Sequence, residues 1–367
     1  MTDIRTEKLA DLAVNYSVEV KENQEVFIIG SHITSPLIEQ LYKYVLLAGG
    51  HPSVVYQDQR LDDIQFLYGT DQQLMYVPPI LRYAIQKADI LIRIKAEKNP
   101  KHLANMDPGK VAKNVASRRE LSDIMTDRIK RGELFWTLFP FPTDSMAQEA
   151  SMSLLEYEDF VYKSCFVYTE NPKEKWKNVS KIQEKIVNYL QKKSEIHIVG
   201  EDTDITFQVQ GRTWVNADGK KNMPDGEVFT GPLEGSPEGV IRFTFPAIYK
   251  GNEVEDIKLT FKKGIVTEAK AQKGEEFLNH MIAIDEGSSK VGEIAIGTNY
   301  EVTRFTKDML FDEKMGGTIH MALGRGIPET GNENRSAIHW DMLKDMKKGG
   351  KIYADGELFY ENGTFLI

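Results

Sequence analysis

Cysteine is almost absent from this chain: Cys165 is the only one in 367 residues. One thiol can form neither an intrachain disulfide nor a thiolate zinc knuckle, so any metal must be held by nitrogen and oxygen ligands. Cys165 stands among Tyr162, Phe166 and Val167, which suits a small buried hydrophobe. Positive charge is also short. The 46 Lys and Arg face 55 Asp and Glu, a net charge of −9 that argues against nucleic acid as a main partner. No apolar run approaches the roughly 20 residues of a membrane span, so no membrane partner is expected. The opening MTDIRTEKLADLAVNY carries charges throughout and lacks the apolar core of a secretory signal, and a reducing cytoplasm fits. Catalytic fingerprints are missing too. The turn IIGSHITS (Ile28–Ser35) has one glycine and fails both G-x-G-x-x-G and the Walker pattern, which removes the main support for a dinucleotide-dependent oxidoreductase. A serine hydrolase is disfavoured because no G-x-S-x-G elbow occurs.

What remains is a globular composition, 41% hydrophobic and 28% charged, in a chain long enough for two domains. In residues 1–193 strands alternate with helices. Thr6–Val20 has helical spacing with Thr6 as N-cap, and Glu25–Gly30, Ser53–Tyr56, Ile90–Ile94 and Leu134–Leu138 read as strands. Between and after them, helices are expected from Ser35-Pro36, over Pro79–Ala88, through most of Pro100–Arg131, and over Ser145–Glu156 and Lys173–Lys193. That order predicts a Rossmann-like parallel α/β domain. Residues 194–367 change character and predict a β-rich domain, in which only Glu275–Met281 and Asp341–Lys347 read as helical.

The second domain holds every strong candidate for chemistry. GEIAIG (Gly292–Gly297), TIHMALG (Thr318–Gly324), SAIHWD (Ser336–Asp341) and GEVFT (Gly226–Thr230) are short apolar stretches, each carrying a polar residue that can bind a metal. These residues are Glu293, His320, His339 with Asp341, and Glu227. On a strand, His339 and Asp341 leave the same face because they are two apart. Buried charge needs a partner or a metal, and a mixed carboxylate and imidazole set suits one or two borderline transition ions. His51, His102, His197 and His280 have no acidic neighbour at metal spacing and read as structural or solvated, and His32 as a surface residue.

The blocks NMPDGEVFTGP, DEGSSKVGEIAIG, LFDEKMGGTIHMALG and PETGNENRSAIHWDM, with the opening LADLAVNYSVEVKENQEVFI, resemble the signature blocks of the M29 family of metallo-aminopeptidases, the aminopeptidase T type. The resemblance runs over nearly the whole chain. It implies a two-domain homodimer that removes N-terminal residues from peptide substrates with a centre of two divalent ions, zinc or cobalt. Carried over by motif, it implies Glu227, Glu293, His320, His339 and Asp341 as metal ligands and Glu293 as the catalytic carboxylate. Asp312 and Glu313 become candidates to orient His320, and Glu234 and Glu238 candidates to hold the substrate ammonium. One position departs from the pattern. Where the family commonly has a tyrosine thought to assist catalysis, this chain has Ile327. The alternative is therefore a metal- or peptide-binding protein of the same fold without peptidase turnover.

Overall fold

The computed structural model describes residues 3–249 and 251–367. Contacts divide the chain into two compact units, Met1–Lys173 with Gly219–Pro224, and Glu174–Asp218 with Asp225–Ile367. The first is α/β as expected. Its sheet has β1 (Glu25–Gly30), β2 (His51–Tyr56), β3 (Ile90–Lys95) and β4 (Phe135–Pro140) in the order β2-β1-β3-β4, with every pairing parallel. Parallel neighbours need crossovers, which the intervening helices supply, and β1 is buried after its first residue as a strand covered on both faces must be. Phe27, Ile29 and Leu91 pack with Ala84, Ala88 and Leu134.

Three local expectations change. The first helix, Ile4–Leu12, is capped by Asp3, whose carboxylate accepts the Arg5 N–H, while Thr6 lies buried inside the helix beside the Tyr162 hydroxyl at 3.4 Å. The stretch Pro100–Arg131 forms helices only over Pro108–Ser117 and Arg119–Lys130, the former started by Asp107. Ser145–Glu156 is interrupted: Asp144–Glu149 ends, and the Ser153–Glu156 capping box starts Leu154–Ser164.

In the second unit the strands are β5 (Glu195–Gly200), β6 (Thr203–Gln208), β7 (Val215–Ala217), β8 (Glu227–Thr230), β9 (Glu238–Arg242), β10 (Ala247–Tyr249), β11 (Asn252–Val254), β12 (Lys258–Lys262), β13 (Ile265–Lys270), β14 (Val291–Gly297), β15 (Thr318–Gly324), β16 (His339–Asp345), β17 (Lys351–Ala354), β18 (Glu357–Glu361) and β19 (Thr364–Phe365). They form an eight-stranded sheet, β13-β12-β9-β6-β5-β17-β18-β19, a five-stranded sheet, β16-β15-β14-β8-β7, and the pair β10-β11. The helix Pro172–Leu190 sends Ile186 and Leu190 into this unit's core. The core joins Ile198, Ile205 and Phe207 of the larger sheet to Ile294, Ile296, Ile319, Met321, Leu323 and Met342 of the smaller. Asp341–Lys347, expected to be helical, is instead mostly strand. β16 pairs with β15 along its full length, and Lys344 is buried with its ammonium donating to the Glu201 and Arg242 carbonyls at 3.1 and 3.2 Å.

Candidate metal centre

Past an irregularity between Val291 and Glu293, the central strands of the five-stranded sheet alternate. Ile294 and Ile296, Ile319, Met321 and Leu323, and Trp340 and Met342 point into the core. The opposite face therefore carries Glu293, Ala295 and Gly297 on β14, His320, Ala322 and Gly324 on β15, and His339 and Asp341 on β16. Register then places a small residue beside each polar one. Asp341 and Glu293 both lie opposite Ala322, His320 opposite Ala295, His339 opposite Gly324, and Glu227 opposite Gly297. Alanine and glycine leave the space into which the longer side chains converge.

The convergence is tight. His339 Nε2 lies 3.3 Å from Glu293 Oε2 and 3.4 Å from Asp341 Oδ1. His320 Nε2 lies 3.7 Å from Glu293 Oε1 and 3.9 Å from Asp341 Oδ1. Glu293, His339 and Asp341 offer ligand atoms within 4.8 Å of one another, and so do Glu313, His320 and Asp341. Glu227 arrives from the next strand, with Oε2 3.7 Å from His320 Nδ1. Its backbone carbonyl is held by Gln183 at 2.6 Å. His339 Nδ1 lies 2.7 Å from the Arg325 carbonyl; donation of its N–H there fixes the ring with Nε2 facing the carboxylates.

A four-coordinate ion with arms of about 2.0–2.2 Å sets its ligand atoms about 3.3–3.6 Å apart. The His339 contacts match this spacing and the His320 contacts are slightly wider. Among the described residues, buried Glu227 Oε2, His320 Nδ1 and Asp341 Oδ1 have no hydrogen-bond partner. Buried polar atoms are seldom left in that state, and a cation is the simplest partner for them. The donor set also fits: imidazole and carboxylate suit a divalent ion of the zinc or cobalt kind.

The electrostatics favour positive charge. Burial works against a charged His339, yet Asp341 and Glu293 outweigh it and push its pKa up to about 11. Burial likewise opposes a charged His320, but Glu293, Glu227 and Asp341 push it up to about 9. Burial raises Asp341 and Glu293, but the imidazoles overcome it and hold both below the ordinary carboxylate range. Glu227 is pushed up to about 8, chiefly by burial.

Sequence reading missed Lys314. It follows two acids in a turn with two glycines, which reads as solvated surface. Instead it is buried, with Nζ 2.6 Å from both Glu227 Oε1 and Glu313 Oε1 and 3.5 Å from Asp225 Oδ1. Gly297 makes this possible: a Cβ there would lie 2.0 Å from the Met315 carbonyl oxygen, so only glycine lets the Lys314 turn rest on β14. Asn299 clamps the turn, accepting from Gly316 at 2.9 Å and donating to the Lys314 carbonyl at 3.0 Å, while its side chain donates to the Asp225 carbonyl.

Of the other candidates, Asp312 turns away from His320 and accepts from Thr306 N and Oγ1 at 2.7 and 2.8 Å. Glu234 pairs with Arg212, and Glu238 accepts the Lys263 N–H at 2.6 Å. Cys165 is fully buried, as its neighbours suggest. His102 and His197 pair with Asp63 and Asp204, acids that only folding brings near, and His32 pairs with Asp58 at the surface.

Comparison with known proteins gives one consistent result. A family model described as "Thermophilic metalloprotease (M29)" matches residues 2–365. Aminopeptidase 2 of Geobacillus stearothermophilus is 28% identical over 92% of this chain and 87% of its own. Aminopeptidase AmpS of Bacillus subtilis is 26% identical over 97% of each, and Aminopeptidase T of Thermus thermophilus 25% over 95% of each. Among solved structures, wild-type AmpT from Thermus thermophilus superposes with a TM-score of 0.87 over 99% of each chain at 22% identity, a likeness of fold.

Proposed function

Because the chain belongs to the M29 family of thermophilic metalloproteases, we propose that it is a metal-dependent aminopeptidase that releases N-terminal residues from peptides. The observation that carries this reading is the meeting of Glu293, His320, His339 and Asp341 from three adjacent strands, with buried oxygen and nitrogen atoms left unsatisfied. Its relatives support the substrate class, being aminopeptidases by name.

Glu293, His339 and Asp341 would hold a zinc or cobalt ion, with His320 closing the set. An ion bound there supplies Lewis acidity, lowering the pKa of water and polarising a peptide carbonyl. The chain's own residues do the rest. Glu293 is ionised at neutral pH because His320 and His339 offset its burial. Its carboxylate is therefore able to accept a proton from water and return it to the leaving amine. The Arg325 carbonyl fixes the His339 ring, and Ala295, Ala322, Gly297 and Gly324 keep the floor open. The family resemblance implies Glu227 as a further ligand of a two-ion centre, and it also supports a homodimer. The lone buried cysteine is consistent with a cytoplasmic location.

The departure at Ile327 favours a second reading, a metal- and peptide-binding protein without turnover. Ile327 is half-buried and precedes a short helical turn, Pro328–Thr330, and its side chain cannot donate a hydrogen bond. Aminoacyl chromogenic substrates with added Zn²⁺ or Co²⁺, with and without chelator, and free against N-acetylated peptides, separate the two. Chelator-sensitive release from free N-termini alone is the expected result. Equal cleavage of acetylated peptides refutes the aminopeptidase, and binding without release favours the second reading.

A further inference from the structure

We infer that the guanidinium of Arg325 receives the C-terminal carboxylate of a short peptide, so that the centre favours dipeptides with a free carboxylate over the same dipeptides capped as amides. The inference rests on the aminopeptidase reading above and narrows its substrate class. Arg325 follows β15 directly, and its backbone is clamped beside the proposed ligands. Its N–H donates to the Ile338 carbonyl at 2.7 Å, and its carbonyl lies 2.7 Å from His339 Nδ1. Gly292 makes room for this: a Cβ there would lie 2.5 Å from the Arg325 carbonyl oxygen, so glycine lets the segment rest on β14, one residue from Glu293. The following N–H, of Gly326, donates to the Asn334 carbonyl at 2.9 Å.

The side chain is left over from this arrangement. It is exposed, and among the described residues no carboxylate pairs with it and no hydrogen bond holds it. Neither Glu293 nor Asp341 uses its charge, although both face His339. Its guanidinium and the His339 ring both act electrostatically on the Tyr249 phenol, whose ring packs 5.6 Å from that of Trp340, the residue between His339 and Asp341. The three groups therefore share one region, where β16 begins. An arginine is always charged, and its planar fork matches a carboxylate through two parallel N–H···O bonds. A dipeptide carries its carboxylate one residue, about 3.5 Å, beyond the scissile bond. A dipeptide seated on the centre thus brings a full negative charge to the rim that Arg325 occupies. In a longer peptide, or an amide, an uncharged carbonyl takes the same place.

Leu-Leu and Leu-Leu-amide share a scissile bond and differ in terminal charge, so they test the inference on the Zn²⁺-loaded full chain. For the wild type, kcat/KM is expected to be about tenfold higher for the acid, carried by KM, as for a charge-assisted pair at a partly exposed place. The net charge of −9 attracts the cationic amide more, so a preference for the acid is no bulk effect. In Arg325→Met the ratio is expected to fall to about one, and in Arg325→Lys to recover in part. Arg325→Gln takes the place of Arg325→Met where that chain does not fold. A wild-type ratio near one overturns the inference and leaves the aminopeptidase reading intact. So does a ratio that persists in Arg325→Met while kcat falls equally for both, which would put the guanidinium on the reacting carbonyl. Where neither peptide is cleaved, the aminopeptidase reading fails and calorimetric dissociation constants for the same pair decide. A tenfold preference for the acid that Arg325→Met abolishes supports the carboxylate site, and equal constants overturn it.

Discussion

Glu293 is the residue on which both halves of the proposed chemistry meet, because its two oxygens face different imidazoles, at 3.3 and 3.7 Å. Glu293→Gln preserves volume and removes the charge. With metal content equalised, kcat should fall by about 10²–10⁴-fold, the usual contribution of a positioned proton acceptor. Steady-state rates within a factor of a few of wild type would exclude that role. Ile327 poses the complementary question. A phenol that donates to a developing oxyanion contributes about 10²–10³ in turnover, and isoleucine can only pack. Ile327→Tyr should therefore raise kcat with little change in KM, as expected for a contact formed only in the transition state. Tyr249 supplies the control. Its ring packs 5.6 Å from that of Trp340, and its phenol lies within electrostatic reach of Arg325 and His339. Unchanged kinetics in Ile327→Tyr together with a fall in Tyr249→Phe would assign the phenol role to Tyr249.

Among the elements, the approach to β16 depends on one carboxylate. Asp285 accepts from Ala337 N and Ser336 Oγ on one oxygen and from Gly287 N and Ser288 Oγ on the other, at 2.8–3.0 Å. It thereby ties the turn before β14 to the residues that lead into His339. These bonds, the Ala337 N–H foremost, outweigh burial and hold its pKa down to about 2. A folded-state pKa below the unfolded value stabilises above the unfolded value and is lost as pH falls through the folded one, here between about 4 and 2. Asp285→Asn should cost about 1–3 kcal/mol at pH 7 in urea titrations, with the gap to wild type closing as pH drops through that window. A gap that widens in acid would mean the charge is not what matters. The same elements show what a sequence reveals. The alternation in GEIAIG and TIHMALG follows from one face being core and the other a site, so the strands and Glu293 and His320 were legible at once. DMLKDMK after His339 reads as a helix because Met342, Leu343 and Met346 fall at helical spacing. Pairing with β15 overrides that propensity, and Lys344 finds its acceptors far away in sequence, in the turn between β5 and β6 and on β9. Lys314 was illegible for the same reason: Glu227, 87 residues earlier, becomes its neighbour only after folding.

At the scale of the whole molecule, an ion acts as a ligand of the folded state and stabilises only what must be folded to bind it. Every proposed donor comes from Asp225–Ile367, inside the second unit, and none from the first. Free ion at 100 times its dissociation constant adds about 2.7 kcal/mol to the unit that binds it. That increment should appear as amide protection. Exchange in β14, β15 and β16 proceeds through opening of the sheet, and opening scatters the four donors, so removing the ion should speed exchange there by up to about 100-fold. The amides of β1 and β3 belong to a parallel sheet with its own core and have no such linkage. Hydrogen exchange followed by mass spectrometry, on the Zn²⁺-loaded chain and after chelation, is therefore expected to show loss of protection across β14–β16 with β1 and β3 unchanged. Loss of equal size in both units would mean that the chelator destabilises the chain by some route other than this centre. No loss in β14–β16 would mean that no ion is held there, because four convergent donors cannot bind a dication tightly without raising the free energy of pulling their strands apart.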